Sequence, residues 1–566
     1  MRRVDGWTTI QEEYNPFLLD ESRLGPEPVE HLYFPETTAE AARAVEECAE
    51  TGTRIVFSGG RTGITGGAVP RGAGAIISTE RLRLEPEVRL NPETGSWTLR
   101  VGAGMTLAEL KDILARKAYR APERAQGKTF FFPVDPTETG AAVGGMAATN
   151  ASGARTLLYG PMRDWVSGLT VVLADGSVTR ARRENGPGAE TPEEPSGAWT
   201  GTEAASGSSV RLPLEQETSR GSGKPGGVRE TDSAAEWKGS SGASGGSEDE
   251  VRYREVPVKQ VKIPEGKHSG GYYLRPPFDA VDLFVGSEGT LGLITELDLK
   301  LIEVPPGSST LYLMIFLPED LPFELTAALK GAESFSAAAL EYMDHRSLSL
   351  LEDFRRELGE ASGVPEMPEG TAGILYVEVG LEKREDFHRI RREIAAVMAA
   401  IGIPEDRTWA GFSDKTLEAM KKLRHALPER INTVIAGRKA RFPELTKIGT
   451  DLAVPDRRLE EMTLYSIDRI EEEGLEFCAF GHIGNGHLHI NILPRDAAEI
   501  ERAWGGYREL AERAVELGGS VSAEHGIGRI KRKFFELQFS ADDREAMRRV
   551  KEALDPVGLL NPGVLW

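Results

Sequence analysis

The sequence predicts an α+β protein made of one interrupted α/β domain, a second α+β domain and a helical C-terminal segment. Three observations carry this reading. The chain has 566 residues, too many for one ordinary domain. Helical apolar stripes alternate with short aliphatic runs at first, break at a polar stretch between Arg183 and Glu250, and then give way to longer strands and helices. From about Ala498 the text is charged and helical in period. The expected divisions are an N-terminal extension over residues 1–29, a first domain over 30–303, a second over 304–497 and the C-terminal segment over 498–566.

In the first domain, Thr37 and Glu40 have capping-box spacing. Behind them Ala41, Ala44, Val45 and Cys48 repeat at helical spacing as far as Gly52. Arg54–Phe57 reads as a buried strand running into a glycine loop. Thr106 and Glu109 open a second helix with Leu107, Leu110, Ile113 and Leu114 on one face. Leu169–Leu173 reads as a strand closed by the turn Ala174-Asp175-Gly176. Val281–Val285 and Leu293–Ile302 read as strands around another glycine turn. In the second domain Leu311–Leu317 and Ile374–Val379 are expected strands, with helices around Leu325 and Ile390. The stretch Arg183–Glu250 carries only Val210, Leu212, Leu214 and Val228 as branched aliphatics, so it reads as a disordered, dispensable insertion.

Composition narrows function. Hydrophobic residues make up 40% and charged residues 28%, enough for packed cores. Lys and Arg total 68 against 89 Asp and Glu, a net charge of −21 that disfavours nucleic acid. Two cysteines, Cys48 and Cys478, cannot form a disulfide framework, a four-Cys zinc site or an iron–sulfur cluster. No apolar run has the length of a transmembrane segment, and MRRVDGWTTIQEEY has no signal-peptide core. The expected location is cytoplasmic, or at most peripheral at a membrane.

The expected strand 54–57 leads into Ser58-Gly59-Gly60-Arg61-Thr62-Gly63-Ile64-Thr65-Gly66-Gly67. Such a loop lets consecutive backbone N–H groups converge on an anion such as a pyrophosphate. It is neither a G-x-G-x-x-G nor a Walker loop, and alone it is as compatible with a tight structural turn. Two further strings accompany it: Phe132-Pro133-Val134-Asp135-Pro136-Thr137 with Gly144-Gly145-Met146-Ala147-Ala148-Thr149-Asn150-Ala151-Ser152-Gly153, and Gly286-Ser287-Glu288-Gly289-Thr290-Leu291-Gly292-Leu293-Ile294-Thr295.

Together these strings resemble the FAD-linked vanillyl-alcohol oxidase, or p-cresol methylhydroxylase, family. More narrowly they resemble its D-lactate, glycolate and D-2-hydroxyglutarate dehydrogenase branch. The resemblance implies a two-subdomain FAD-binding domain followed by a substrate, or cap, domain. It implies one FAD with its pyrophosphate on Ser58–Gly67, where Ser58, Gly59, Gly60, Arg61, Thr62, Gly63, Ile64 and Gly66 are the contacts. Pro133, Asp135, Thr137, Gly144, Gly145, Thr149 and Ser152 would line the flavin and ribityl side, and Glu288, Gly289 and Ile294 the adenine side. Leu560-Asn561-Pro562-Gly563 matches the family's C-terminal motif, which brings Asn561 to the flavin; a helix C-cap is the plainer role for the same residue. The first loop holds no histidine and neither cysteine lies in a flavin motif, so the FAD is expected to be noncovalent.

Four histidines crowd into Gly481-His482-Ile483-Gly484-Asn485-Gly486-His487-Leu488-His489-Ile490-Asn491 and Ser522-Ala523-Glu524-His525-Gly526. Residues two apart on a strand share a face, so His487, His489 and Asn491 point one way. Histidines with a carboxylate suit a divalent zinc, iron or manganese ion. The resemblance assigns His482, His489 and Glu524 as metal ligands and His525 as the catalytic base; His487 stands where the branch commonly has Asn. It also places substrate-binding cations at Arg424 and Lys447, and Asn491 at the hydroxyl end. The implied reaction is FAD-dependent dehydrogenation of a small D-2-hydroxy acid to the 2-oxo acid. The alternatives are an oxygen-using oxidase and a noncatalytic FAD-binding subunit of a glycolate-oxidase-like complex. Electrons would leave to a separate acceptor: an iron–sulfur or electron-transfer flavoprotein, a quinone or a soluble carrier. A homodimer is a further expectation.

Overall fold

The computed structural model describes residues 1–92, 94–183, 208–215, 252–320, 322–411 and 414–566, without the side chains of 414–417. A four-stranded sheet comes first, in the order β1 (Arg2–Asp5), β2 (His31–Phe34), β4 (Ala75–Ser78), β3 (Ile55–Ser58). β2, β4 and β3 run parallel, and β1 adds an antiparallel edge from within the expected N-terminal extension. The helix Thr38–Thr51 packs Ala41, Ala44, Val45 and Cys48 onto this sheet and ends at Gly52, whose φ of 67° suits a residue without Cβ. Its capping box is half formed. The Thr37 hydroxyl accepts from Glu40 N, but the Glu40 carboxylate accepts from Glu36 N at 2.9 Å instead of turning back to Thr37. At Thr106 both halves of the box form, and Leu107, Leu110 and Leu114 are buried.

The second sheet is antiparallel throughout, ordered β5 (Glu87–Leu90), β6 (Trp97–Gly102), β12 (Leu293–Glu303), β8 (Val166–Val172), β9 (Val178–Arg182), with β7 (Phe130–Phe131) also on β12. Two expectations are corrected here. Val281–Val285 is not a strand: its first four residues belong to a short helix, Ala280–Phe284, because the Asp279 side chain accepts from Val281 N at 2.7 Å and caps it. A run of five residues is too short to distinguish the two by periodicity. The second correction falls inside the expected insertion. Residues 184–207 and 216–251 lie outside the described residues, but β10 (Ser209–Pro213) pairs antiparallel with β11 (Tyr253–Pro257). Val210 and Leu212 join the main core, Leu212 with 0% exposure. Leu212→Ala should therefore destabilise the protein by about 2–5 kcal/mol, as a buried truncation does. An apparent Tm equal to wild type would show that this strand carries no packing energy.

The third sheet holds seven strands, all antiparallel: β16 (Thr408–Gly411), β13 (Ser309–Leu317), β15 (Gly373–Leu381), β14 (Ala337–Met343), β18 (Phe477–Gly481), β19 (His489–Ile492), β17 (Ile448–Gly449). The register aligns Glu341 with Tyr376, Phe480 with His489, and Asn491 with both Cys478 and Gly449. Period-two alternation places all of these on one face. The helix Asp414–Lys439 covers that face through Leu423, Leu427 and Ile431. The C-terminal helices Ala497–Glu516, Arg532–Gln538 and Ala541–Leu554 follow, and the chain then returns to β3, where Ile55 N donates to Leu559 O and Asn561 N to Ile55 O, each at 2.8 Å. Among the described residues no helix is long and apolar enough to cross a membrane.

Candidate active site

The histidine string leaves β18, makes the short turn Ile483–Asn485 and reverses through Gly486, whose φ is 65°. The reversal brings His482 back beside His487 and His489, with ring centroids 4.2–5.9 Å apart. Glu524 approaches from the turn between C-terminal helices: Oε1 lies 3.0 Å from His482 Nε2, and Oε2 lies 3.7 Å from His489 Nε2. One donor atom each from His482, His487, His489 and Glu524 falls within 4.8 Å of the others. His487 has 0% exposure, and neither ring nitrogen has a hydrogen-bond partner among the described residues, although Nε2 lies 3.5 Å from Asp451 Oδ1. Buried imidazole nitrogens are rarely left so, and burial drives the His487 pKa well down, which keeps the neutral, ligating form. The donor set and its orphaned nitrogens fit a divalent cation.

Supporting charges orient the cluster. His482 Nδ1 is held by Glu341 Oε1, which turns Nε2 toward Glu524, and the other Glu341 oxygen takes Arg424 Nη2 at 2.7 Å. Burial would raise the Glu341 pKa, but Arg424 and His482 hold it down at about 2. Burial likewise opposes protonation of His482, yet Glu341 and Glu524 outweigh it and its pKa is raised. Asp451 gathers the turn that carries Glu524 and His525: its carboxylate accepts from Glu524 N and His525 N, both at 3.1 Å, from Ser522 Oγ at 3.1 Å, and from the buried Lys531 ammonium. His525 stands with its ring centroid 6.0 Å from that of His489. Burial pushes its pKa to about 4 against the pull of Asp451 and Glu524, so its imidazole is neutral near pH 7.

The glycine loop leaves the C-terminal end of β3, the edge where α/β sheets bind ligands. No protein group among the described residues accepts the N–H of Gly59, Gly60, Arg61, Thr62, Gly63 or Ile64. A Cβ on Gly60 would sit 2.6 Å from Gly140 O, so the loop needs glycine to pack there. The Ser58 hydroxyl is buried and unpaired. These free donors fit a phosphate-bearing cofactor. Thr65 ties the loop to the turn that carries His525: its carbonyl accepts from Arg529 N at 2.8 Å and its hydroxyl donates to His525 O at 3.2 Å.

The other expected residues are distributed unevenly. Gly144 packs on Ala103, whereas Gly145 faces open space; Thr149 Oγ1 donates to Gly145 O at 3.1 Å. Pro133 is buried and Thr137 exposed. Burial would raise the Asp135 pKa, but its partner Lys111, with Arg155 and Arg424, draws it down. Ser152 Oγ donates to Glu524 Oε1 at 3.2 Å, so it serves the histidine cluster. Ile294 lies in the core on β12. Asn561 is not a helix C-cap, since the last helix ends at Asp555; its side chain accepts from Phe57 N at 2.9 Å and donates to Glu288 O at 2.6 Å. Asn491 Nδ2 donates to His489 O at 3.4 Å. Arg424 reaches the cluster through Glu341. The Lys447 side chain makes no hydrogen bond or ion pair with it among the described residues, and burial lowers its pKa.

Sequence reasoning passed over Lys267, Glu341, Asp451 and Lys531. Glu341 had a usable signal, a carboxylate inside the apolar run AAALEYM. Lys267 had none.

The Glu288 carboxylate turns from the glycine loop and accepts from Ile527 N at 2.8 Å and Gly528 N at 2.7 Å. Burial outweighs these bonds and pushes its pKa up to about 7. Between the unfolded value near 4.5 and about 7, the folded state keeps a proton that the unfolded chain has released, so this group's contribution falls as pH rises through that window. Glu288→Gln, which does not titrate, should gain in Tm relative to wild type from pH 5 to pH 8. A pH-independent difference would show that Glu288 is ionised throughout.

The class to which the fold belongs is that of the FAD-linked oxidoreductases of p-cresol methylhydroxylase type. Residues 29–182 match the family profile described as FAD binding domain, and residues 323–565 match that of FAD linked oxidases, C-terminal domain. The chain belongs to this family of FAD-linked oxidoreductases, as the sequence motifs implied. It is 26% identical to a D-lactate dehydrogenase of Archaeoglobus fulgidus over 100% of this chain and 99% of that one. It is 27% identical to a D-2-hydroxyglutarate dehydrogenase of Xanthomonas citri pv. viticola, over 96% and 90%, and 25% identical to glycolate oxidase subunit GlcD of Bacillus subtilis, over 94% and 88%. In fold it is similar to an alkyldihydroxyacetonephosphate synthase, with a TM-score of 0.55 and 14% identity over 95% of this chain and 76% of that one.

Proposed function

We propose that the protein oxidises a small D-2-hydroxy acid to the 2-oxo acid, with noncovalently held FAD and a divalent cation. The observation that carries this reading is the convergence of His482, His487, His489 and Glu524 beside His525, on a turn tied to the glycine loop through Thr65. The names of the three relatives, all hydroxy-acid enzymes or a subunit of one, point the same way. When bound, FAD supplies the two-electron acceptor and the cation a Lewis acid.

The residues then divide the work. Ser58–Gly67 cradles the pyrophosphate with its free N–H groups. His482, His489 and Glu524 hold the cation, and the orphaned His487 is a fourth donor. His525 takes the hydroxyl proton of the substrate. Arg424, half engaged by Glu341, offers its remaining donors to the carboxylate, and Asn491 borders the hydroxyl end. Lys447, ahead of β17, is a second cation at the outer end of the same sheet face. Electrons pass on to a separate acceptor.

Adding D-lactate, glycolate or D-2-hydroxyglutarate anaerobically to the FAD-loaded protein should bleach the flavin absorbance with one of them. Failure of all three would sink the reading. Slow recovery of colour on admitting air marks a dehydrogenase, and fast recovery an oxidase.

A further inference from the structure

Three buried carboxylates surround the histidine cluster, and each has its own cation. Glu341 is paired with Arg424, Asp451 with Lys531, and Glu524 with Lys267. In the first two pairs the carboxylate also ties down part of the site: Glu341 holds His482 Nδ1, and Asp451 holds the N–H groups of Glu524 and His525. The third differs in that its carboxylate is itself the proposed ligand, met also by Ser152 Oγ. Lys267 contacts Glu524 through Oε1, the same oxygen that lies 3.0 Å from His482 Nε2. A cation taken up between His482 and Glu524 must therefore share that oxygen with an ammonium.

Lys267 is anchored from both sides. Glu265 N donates to Gly518 O at 3.0 Å, Ser269 N to Ser522 O at 2.8 Å, and Gly526 N to Ser269 Oγ at 3.0 Å. Only its side chain, 5% exposed, can move without breaking these backbone bonds. The backbone clamp keeps the ammonium at the centre's edge whether or not it touches Glu524.

Resting on the metal reading above, we propose that Lys267 is a displaceable counter-cation of Glu524, which neutralises the ligand carboxylate when the centre is empty and competes with the divalent ion for it. Neither an ammonium nor a divalent ion is favoured beside a second positive charge in a buried site, so uptake of the ion breaks the Lys267–Glu524 pair. The pair thus sets the affinity of the centre and makes its ion exchangeable.

The test is zinc affinity, measured by competition with a chromophoric chelator on FAD-loaded wild type, Lys267→Met and Lys267→Arg, with apparent Tm and flavin content as checks of folding. Lys267→Met should bind zinc roughly tenfold more tightly or better, the factor that corresponds to removing about 1.4 kcal/mol of competing ion pair. Lys267→Arg keeps the charge and should stay near wild type, and it carries the comparison if Lys267→Met folds poorly: an arginine variant that binds zinc tenfold more tightly overturns the proposal. Equal or weaker zinc binding by Lys267→Met, with zinc still bound by wild type, also overturns it. If no form takes up zinc stoichiometrically, the metal reading itself falls and the proposal with it.

Discussion

Flavin reduction in His525→Ala should slow by roughly 10²–10⁴, the usual range for losing a general base, while FAD and zinc contents match wild type. The ring of His525 is not needed to hold its turn. The turn is fixed by backbone groups: Asp451 takes the N–H of Glu524 and His525, Glu288 those of Ile527 and Gly528, and Thr65 meets the His525 carbonyl. Truncating the ring should leave these bonds in place. A residue that only fills space would behave otherwise, losing stability and keeping full per-flavin activity in the surviving fraction. Stopped-flow reduction and metal analysis on one preparation separate the two. Reduction at the wild-type rate would move the base to His487, whose pKa burial also lowers.

The second large effect is on the metal. Glu524→Gln removes the only carboxylate that faces both His482 and His489 among the described residues. Even losing an outer partner of a metal ligand typically costs roughly 10–100-fold in affinity, so losing a charged ligand should cost at least that. Zinc content should fall, and excess zinc should restore part of the activity. The variant also leaves Lys267 without its anion, so some loss of Tm is expected. Full zinc retention in Glu524→Gln would remove Glu524 from the ligand set and leave the three histidines to account for it.

Much of the fold was legible because its signals are local. Thr106 and Glu109 stand one helical turn apart, and their reciprocal bonds form as the spacing implies. Gly52 ends its helix at a positive φ that few other residues tolerate. His487 and His489 lie two apart, and the glycines between His482 and His487 permit the reversal that joins them. The failures were local signals of equal weight for two outcomes. Val281–Val285 is too short to show a period, and Asp279 decided it for helix. Leu212 sits among polar text and became core only because Val256 and its strand lie alongside.

By itself the sequence determined the family, the glycine loops, the clustering of three histidines on one turn and strand, and the pairing of Glu524 with His525. Each of these is written within a dozen or so residues, where backbone geometry converts spacing directly into position. Only the tertiary structure decided which charges attend them. Glu341 reaches His482 across 141 residues and Lys267 reaches Glu524 across 257. Both contacts depend on how the sheets are layered, since an ion pair is selected by distance in space and leaves no period in the chain. The same physics makes those contacts matter: in a buried site a carboxylate needs a partner, and the fold supplied one for each.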